Sequence, residues 1–333
     1  MKKTKLIQLA VAVVAASITV SASARELRSS GAAPAATPWG KAADAFVAKL
    51  AELSGGKLTV KHFHASQLGD EQTVIRQVAR GRVDIGLFSN TATSLVVPEF
   101  GLLASPYAFE SVEQADCVAD KHLLTAFGES MDAAGVKPIA FIEVGQQIVM
   151  SRKLIKTPAD LAGVKIRTAP TKTDTLFMQG AGGTAIPLGT VDSMPALKTG
   201  NVDAVTWPTV YGIAVGYHKE ASNVTVTNHV HQIGTALVSN KTWGSLSEQE
   251  QKWLQTAALE LNGLRKSVRG AEAALLEKIA TKEGGATVYR PNEAEQKAWQ
   301  AVAPKVQPDI INELGPKAKD TWSAITAAKA DCQ

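Results

Sequence analysis

The chain has 333 residues, which is more than a single hydrophobic core usually fills, so two lobes are expected. It carries 35 Lys and Arg residues against 31 Asp and Glu residues, a formal net charge of +4 at pH 7. The sequence has no stripe of basic residues and no basic segment with interspersed aromatic residues, so we do not expect a nucleic acid as the partner.

The N-terminus has the three parts of a secretory signal peptide. Residues 1–5 include three lysines, residues 6–20 are almost wholly apolar, and Ala22-Ser23-Ala24 has the small residues of a cleavage site. The apolar part is shorter than the about 20 residues that span a membrane. We therefore expect cleavage near Ala24 and a periplasmic protein, with an uncleaved N-terminal anchor as the alternative. Losing three lysines leaves 32 basic against 31 acidic residues, which points to a small or protein partner.

The chain contains two cysteines, Cys117 and Cys332. In an oxidising periplasm such a pair can form a disulfide, which here would tie the C-terminus to the first lobe. Their spacing alone does not show that the sulfurs meet. Two isolated thiols and scattered histidines lack the spacing of metal ligands, so neither a metal site nor another cofactor is expected.

Helical and strand patterns alternate along the chain, which predicts an α/β fold. Residues 39–54 have a helical apolar period closed by two glycines, and residues 58–63 follow as a strand. Residues 72–80 form a second predicted helix, stopped at Gly81, before a buried strand at 83–88. The same order of helix, glycine and strand recurs at residues 194–205, which is consistent with two similar lobes.

A long helical pattern runs from residue 246 to residue 280, starting at the capping-box signal Ser247-Glu248-Gln249-Glu250. A continuous helix of this length would measure roughly 50 Å and could span two lobes. Residues 292–328 add helical segments that we expect to be broken by three prolines, Pro304, Pro308 and Pro316. Since no low-complexity linker appears, the lobes are expected to be joined by crossing strands and the long helix.

Four segments, at residues 56–71, 98–109, 157–167 and 183–188, resemble the substrate-binding proteins of tripartite ATP-independent periplasmic (TRAP) transporters, the DctP family. The most specific part is DLAGVKIR at 160–167 followed by GGTAIP at 182–187. The resemblance implies a two-lobed periplasmic binding protein fold that closes on an organic acid and then docks on a membrane permease driven by an ion gradient. The protein is expected to be a monomer.

The expected division places residues 25–145 and 233–272 in lobe I, and residues 146–232 and 273–333 in lobe II. The signal peptide occupies residues 1–24. The ligand cleft is expected between the lobes, and the long helix is expected to cross from one lobe to the other.

Arg167 is the main candidate for ligand binding. It ends an apolar strand, where ligands of α/β sheets usually lie, and it occupies the arginine position of the family motif. A guanidinium matches a carboxylate with two parallel hydrogen bonds and stays charged at any periplasmic pH. A surface arginine paired with a neighbouring acid is the alternative.

Gln147 departs from the family pattern, because many members carry a second arginine about twenty residues before the motif arginine. An amide can donate to a carboxylate but adds no charge. A single cationic anchor suits a monocarboxylate better than a dicarboxylate or a sialic acid. Alternatively, Gln147 simply ends a strand.

Trp207 is the second departure, since family members commonly have Asn at this position. Its indole offers a broad apolar face and one donor, which would line a cleft for an aromatic or branched acid, or narrow it for a small one. Tyr211 could share the same wall. Core packing of Trp207 is the alternative.

Polar groups of the first lobe follow two predicted strands and match family segments that face the cleft. They are His64, Gln67, Ser89, Asn90 and Thr91. Ordinary turn chemistry explains such residues equally well. Glu71 lies where some relatives keep an acid at the cleft edge, although capping of a helix N-terminus is an alternative role.

The sequence predicts a receptor that binds a small organic carboxylate and delivers it to a TRAP permease. A binding protein for an ATP-driven importer or a sensor kinase would have similar lobes. A secreted enzyme is the least favoured alternative, because no nucleophile elbow, paired-histidine zinc motif, phosphate loop or dinucleotide fingerprint appears.

Overall fold

The computed structural model describes residues 24–333. The predicted basic and apolar parts of the signal peptide therefore lie outside the described residues. Within residues 24–333, no helix combines the length and the hydropathy that a membrane span requires.

The elements alternate between strand and helix, as the sequence predicts. The strands are β1 Arg25–Gly31, β2 Leu58–Phe63, β3 Ile85–Phe88, β4 Val136–Ser151, β5 Lys165–Thr168, β6 Thr184–Pro187, β7 Ala204–Pro208, β8 Asn223–Thr225, β9 His231–Ser239 and β10 Thr287–Tyr289. The helices are α1 Pro38–Ser54, α2 Glu71–Ala79, α3 Asn90–Thr93, α4 Val112–Lys121, α5 Leu123–Ala133, α6 Lys172–Gly180, α7 Thr190–Thr199, α8 Thr209–Val215, α9 Tyr217–Glu220, α10 Asn240–Ser245, α11 Glu248–Ala258, α12 Leu264–Ile279, α13 Glu293–Gln300, α14 Ala303–Glu313 and α15 Ala318–Asp331. Short 3₁₀ helices lie at Pro98–Ala104, Pro158–Leu161 and Leu259–Gly263.

The strands form two lobes that share β4. In lobe I, β2, β1 and β3 are parallel neighbours, and β9 lies antiparallel between β3 and β4. In lobe II, β5 lies parallel between β6 and β7, and the end of β4 pairs antiparallel with β7 and β8. The predicted two-lobed α/β architecture is confirmed.

Strand β4 crosses from lobe I to lobe II near Gly145. Its pairing with β9 ends at Gln146, and its pairing with β7 begins at Gln147. The register shifts between Glu143 and Gly145, and Gly145 has a φ of 99°, which disfavours any residue with a Cβ. A Cβ at this position would also overlap the Glu272 carboxylate of α12. The crossing strand therefore bends at a position that requires glycine.

The long helical run is present, but it contains one turn of 3₁₀ helix between α11 and α12. The predicted capping box is confirmed, because Ser247 accepts from the Glu250 N–H and the Glu250 carboxylate accepts from the Ser247 N–H. Early in α12, Leu264 and Val268 pack in the lobe I core, whereas later residues pack in the lobe II core. The run therefore spans both lobes.

The C-terminal helices correct two expectations. Pro308 lies inside α14, so the predicted break at Pro308 is wrong. The proline removes one helical hydrogen bond, but buried Val306 and Ile310 hold α14 in place. In addition, α15 packs on α4 and α5, and Cys332 is bonded to Cys117 of α4. Helix α15 is therefore attached to helices of residues 25–145, although the sequence assigned residues 273–333 to lobe II. The remaining lobe boundaries stay a proposal.

His229 is a buried histidine that makes folding sensitive to pH. Its Nδ1 lies 2.8 Å from the Thr227 hydroxyl, its ring stacks on Phe177, and Nε2 has no hydrogen-bond partner within residues 24–333. Burial lowers its pKa from 6.5 to about 3, so the folded state favours the neutral ring. Its contribution to stability is therefore complete above pH 6.5 and is lost as the pH falls toward 3.

When the pH is lowered from 6.5 to 5, the free energy of unfolding of the His229→Gln variant is expected to fall by about 2 kcal/mol less than that of the wild type. The reason is that a neutral amide binds no proton in this range. Urea unfolding at the two pH values measures this difference. Comparing slopes with pH, rather than stabilities at one pH, cancels any packing loss that the substitution itself causes. An unchanged slope would contradict the role of His229.

Candidate functional site

A cavity of about 80 Å³ lies between the lobes, next to the point where β4 crosses. Both lobes line it, and the Gln72 side chain of lobe I donates to the Thr190 hydroxyl of lobe II at 3.4 Å. Seven of the predicted site residues line this cavity: Glu71, Ser89, Thr91, Gln147, Arg167, Trp207 and Tyr211.

The Arg167 guanidinium is buried and held by backbone carbonyls. Its Nε and Nη2 donate to the Leu188 carbonyl at 3.2 and 2.9 Å, and Nη1 donates to the Thr206 carbonyl at 3.1 Å. Only 2% of the residue is exposed, yet no carboxylate of residues 24–333 lies within 4.0 Å of it. A buried cation is costly without a paired anion, so this geometry suits an anionic ligand. Two N–H groups remain for such a ligand.

Trp207 supports the arginine directly. The guanidinium carbon of Arg167 lies 3.7 Å from the centroid of the indole ring, and Tyr211 and Tyr217 pack against the same tryptophan at 5.0 and 5.1 Å between centroids. A desolvated cation–π contact of this kind is worth about 2 kcal/mol. Since the guanidinium covers one face of the indole, Trp207 offers the ligand much less of the broad apolar wall that the sequence suggested. Its buried Nε1 has no partner within the described residues.

Asp174 supplies a negative charge near Arg167 without contacting it. Its Oδ2 accepts from the Ala169 N–H at 2.6 Å and from the Thr206 hydroxyl at 2.9 Å. Burial raises the pKa of Asp174, and the same burial lowers the pKa of Arg167, although the two opposite charges partly offset both shifts. The sequence analysis missed Asp174, whose only signal is an acid in the first turn of the helix after the arginine strand.

Two buried amides line the cavity, and the oxygen of each is unpaired within residues 24–333. Gln147 is 3% exposed and Gln232 is 2% exposed, and the Oε1 atom of each lacks a hydrogen-bond donor in the described part of the chain. Leaving a buried polar atom unpaired costs about 1–3 kcal/mol. A ligand that hydrogen-bonds these amides would therefore gain affinity. Gln232 had no motif that could reveal it, because β9 brings it opposite Gly145.

In lobe I, Glu71 and Ser89 form a pair at the cavity. The Ser89 hydroxyl donates to Glu71 Oε1 at 2.7 Å and the Ser89 N–H donates to Oε2 at 3.2 Å. Thr91 lies 2.6 Å from the Ser89 hydroxyl. Burial raises the pKa of Glu71, and the Ser89 hydrogen bonds and the nearby Arg167 charge oppose that rise.

Three predicted residues do not line the cavity. His64 pairs with Asp44 at 2.9 Å, and Gln67 is exposed. The chain turns away after β2, because Ala65 and Ser66 have φ values of 49° and 59°. Asn90 is fully buried beside Ser89, where its side chain has no hydrogen-bond partner within residues 24–333.

His62 and Trp39 line the cavity but were missed by the sequence analysis. His62 Nδ1 lies 3.0 Å from the Ser29 hydroxyl, and burial lowers its pKa to about 4, so the ring is neutral at physiological pH. Trp39 donates to the Glu143 carbonyl at 2.8 Å, which links the cavity wall to the crossing strand. Residues 62 and 64 would share one face of an extended strand, but β2 ends at Phe63, so only His62 is held on the strand.

Within residues 24–333, two clusters outside the cavity group side chains of types that bind metal ions in other proteins. One joins His122 and Asp331 to Cys332, whose sulfur is in the disulfide. The other joins Asp116, Glu143 and His231, but Arg269 donates to both of its acids at 2.7 Å. A guanidinium already occupies the position that a cation would take there.

A comparison with protein families decides the classification. The model of the DctP family, described as bacterial extracellular solute-binding protein, family 7, matches residues 29–313. The chain belongs to this family.

Known relatives of this DctP-family protein are similar along most of their length. The 2,3-diketo-L-gulonate-binding periplasmic protein YiaO of Escherichia coli is 26% identical over 287 residues, which cover 85% of this chain and 86% of YiaO. The galactonate complex of the sugar acid binding protein DctPAm from Advenella mimigardefordensis has a TM-score of 0.87 at 24% identity, covering 93% of this chain and 99% of that one. A TRAP solute-binding protein from Sulfurospirillum deleyianum with bound succinate has a TM-score of 0.84 at 21% identity, covering 91% and 98%.

Membership of the DctP family indicates the general activity, which is the binding of small organic acids. DctP-family members are binding proteins, not enzymes, and TRAP solute-binding proteins bind small organic acids and work with membrane permease subunits. The predicted family and the absence of enzymatic activity are confirmed. The bound acids of the neighbours are not specifically monocarboxylates, since succinate has two carboxylates.

Proposed function

We propose that this DctP-family protein is a periplasmic receptor that binds a small organic monocarboxylate at Arg167 and delivers it, as a monomer, to a TRAP permease. The observation that carries the proposal is a buried guanidinium with two free N–H groups and no protein carboxylate within 4.0 Å in the described chain. A ligand carboxylate supplies the missing counter-charge.

The other cavity residues favour a small acid that also carries polar atoms. The cavity volume is about 80 Å³, and Gln147, Gln232 and the Trp207 N–H offer hydrogen-bonding groups that are unused within residues 24–333. Trp39, Phe88 and Ile142 supply apolar contact. A purely aromatic or branched body would leave the amides unpaired, so we favour a short acid with at least one further oxygen or nitrogen atom.

Closure of the two lobes on the ligand follows from the placement of these groups. Arg167 and Trp207 belong to lobe II, whereas Glu71 and Ser89 belong to lobe I. A ligand that contacts both sets stabilises the closed arrangement, because only that arrangement offers all the contacts at once. The closed shape is then what the permease recognises.

Substituting Arg167 by Gln is expected to weaken binding by at least tenfold, because a hydrogen bond to a charged group contributes roughly 1.5–3 kcal/mol. A thermal-shift screen of organic acids first finds a ligand, and isothermal titration calorimetry then compares the variants. Arg290→Ala, which removes an exposed arginine, is the matched control and should bind as the wild type does. Unchanged affinity in Arg167→Gln would refute the assignment.

A receptor for an ATP-driven importer or a sensor kinase remains the alternative partner assignment. Genes for a small and a large membrane subunit beside the receptor gene would support the TRAP assignment. Genes for an ATPase or a kinase would support the alternative.

A further inference from the structure

We infer that Glu71 is a specificity-determining residue: it requires a hydrogen-bond donor on the ligand and excludes a second carboxylate. The inference rests on the proposed function, in which Arg167 holds the first carboxylate. It concerns the opposite end of the same ligand and names its class, a short acid with one carboxylate and a hydroxyl or amino group.

The Glu71 carboxylate is fixed in place. Glu71 is the first residue of α2, directly after the capping residue Asp70, and Ser89 donates to both of its oxygens. Thr91 lies 2.6 Å from the Ser89 hydroxyl and helps to orient it. Each Glu71 oxygen still has an accepting lone pair, and no Lys, Arg or His of residues 24–333 lies within 4.0 Å of it.

The charges around Glu71 come from three elements. Asp70 precedes it on the same helix, Arg167 faces it from β5, and the Tyr211 hydroxyl faces it from α8. Asp174 of α6 adds a further negative charge beside Arg167. Among the described residues that act on Glu71, Arg167 is the cation, and a ligand carboxylate that binds it uses up that positive charge.

A second carboxylate on the ligand would meet the charge of Glu71 without a further cation from residues 24–333 beside that acid. Like charges brought together in a desolvated site cost several kcal/mol. A hydroxyl or amino group in the same place would instead donate to a free lone pair of Glu71. Sites built to hydrogen-bond such a group also discriminate strongly against analogues that lack it, because their own polar atoms are left unpaired.

Glu71 and Gln147 therefore act differently on the same choice. Gln147 is neutral, so it neither attracts nor repels a second carboxylate of the ligand. Glu71 adds a repulsion, and specificity is most effective when a disfavoured ligand meets a repulsive group as well as a missing attraction.

Matched acids of equal length test this inference. Three sets are used: butyrate, 4-hydroxybutyrate, 4-aminobutyrate and succinate; propionate, 3-hydroxypropionate, 3-aminopropionate and malonate; and acetate, glycolate, glycine and oxalate. Binding is measured by titration calorimetry at pH 8, because this pH favours the ionised form of Glu71. We expect the wild type to bind a hydroxy or amino acid of one set at least tenfold more tightly than the dicarboxylate of that set.

Three variants separate charge from structure. Glu71→Gln keeps the shape of the side chain and removes its charge. It is expected to reduce, at least tenfold, the ratio of the affinity for the hydroxy or amino acid to the affinity for the dicarboxylate. Glu71→Asp keeps the charge and should keep the dicarboxylate excluded. Asp70→Asn removes a charge one residue away, retains a good helix cap, and should leave the preference unchanged. Circular dichroism checks that each variant is folded.

Wild-type protein that binds the dicarboxylate as tightly as the hydroxy or amino acid would overturn this inference alone, as would an unchanged preference in Glu71→Gln. If no acid of any class stabilises the wild type, the proposed function falls and this inference falls with it. If a hydroxy acid and an amino acid bind differently, the better one identifies the donor.

Discussion

Removing the disulfide between Cys117 and Cys332 is expected to lower the free energy of unfolding by about 3–5 kcal/mol. The bond closes a loop with a sequence separation of 215, and the loss of freedom in the unfolded chain grows with loop length. The folded α15 keeps other contacts with α4, including the Gln114 side chain on the Lys329 carbonyl at 3.2 Å. The unfolded state is therefore the state that changes most.

Urea unfolding of the Cys117→Ala, Cys332→Ala double variant measures this effect. Reductant should lower the unfolding midpoint of the wild type and leave that of the double variant unchanged, which controls for general effects of the reductant. Equal midpoints for the oxidised wild type and the double variant would contradict the expected stabilisation.

Replacing Arg269 by Met is expected to cost about 3–5 kcal/mol, because it leaves a buried carboxylate without its partner. The Glu143 side chain is 2% exposed, and Arg269 Nη2 lies 2.7 Å from its Oε2 and 2.7 Å from Asp116 Oδ1. Even with Arg269 in place, burial raises the pKa of Glu143 to about 7. Without the guanidinium that pKa rises further, so the folded state increasingly favours a protonated Glu143.

The sign of this effect with pH follows from the raised pKa. A carboxylate that is more basic in the folded state stabilises the fold when protonated, and that contribution is lost as the pH rises through about 7. The penalty of Arg269→Met should therefore be larger at pH 8 than at pH 5. Lys297→Met is the control: its partner Glu293 is 83% exposed, so we expect a loss of no more than about 1 kcal/mol. Urea unfolding of both variants at the two pH values tests the pair.

The sequence predicted the order of the elements well, because each local signal has a local cause. The glycines after α1 and the Ser247 capping box end and start their helices in the predicted places. The position of Arg167 near the end of β5 was also predicted, since the sequence motif indicates both the strand and the residue's place in it. Pro308 was misjudged, because packing across α14 outweighs the local cost of one lost hydrogen bond.

The rest of the site depends on contacts between distant segments. Gln232 reaches the cavity only through the pairing of β9 with β4, and Asp174 acts through space on Arg167. The stacking of Arg167 on Trp207 joins β5 to β7, so neither strand alone reveals it. His64 was favoured because nothing in the sequence indicates the positive φ angles of Ala65 and Ser66.

The position of β9 in the sheet has a consequence for the order of synthesis. This strand fills the gap between β3 and β4, yet it starts about 140 residues after the end of β3 and about 80 after the end of β4. A ribosome must therefore deliver residue 239 before the lobe I sheet can close, and pairings over such distances slow folding. Until then, β3 and β4 each have one sheet edge without its final partner strand.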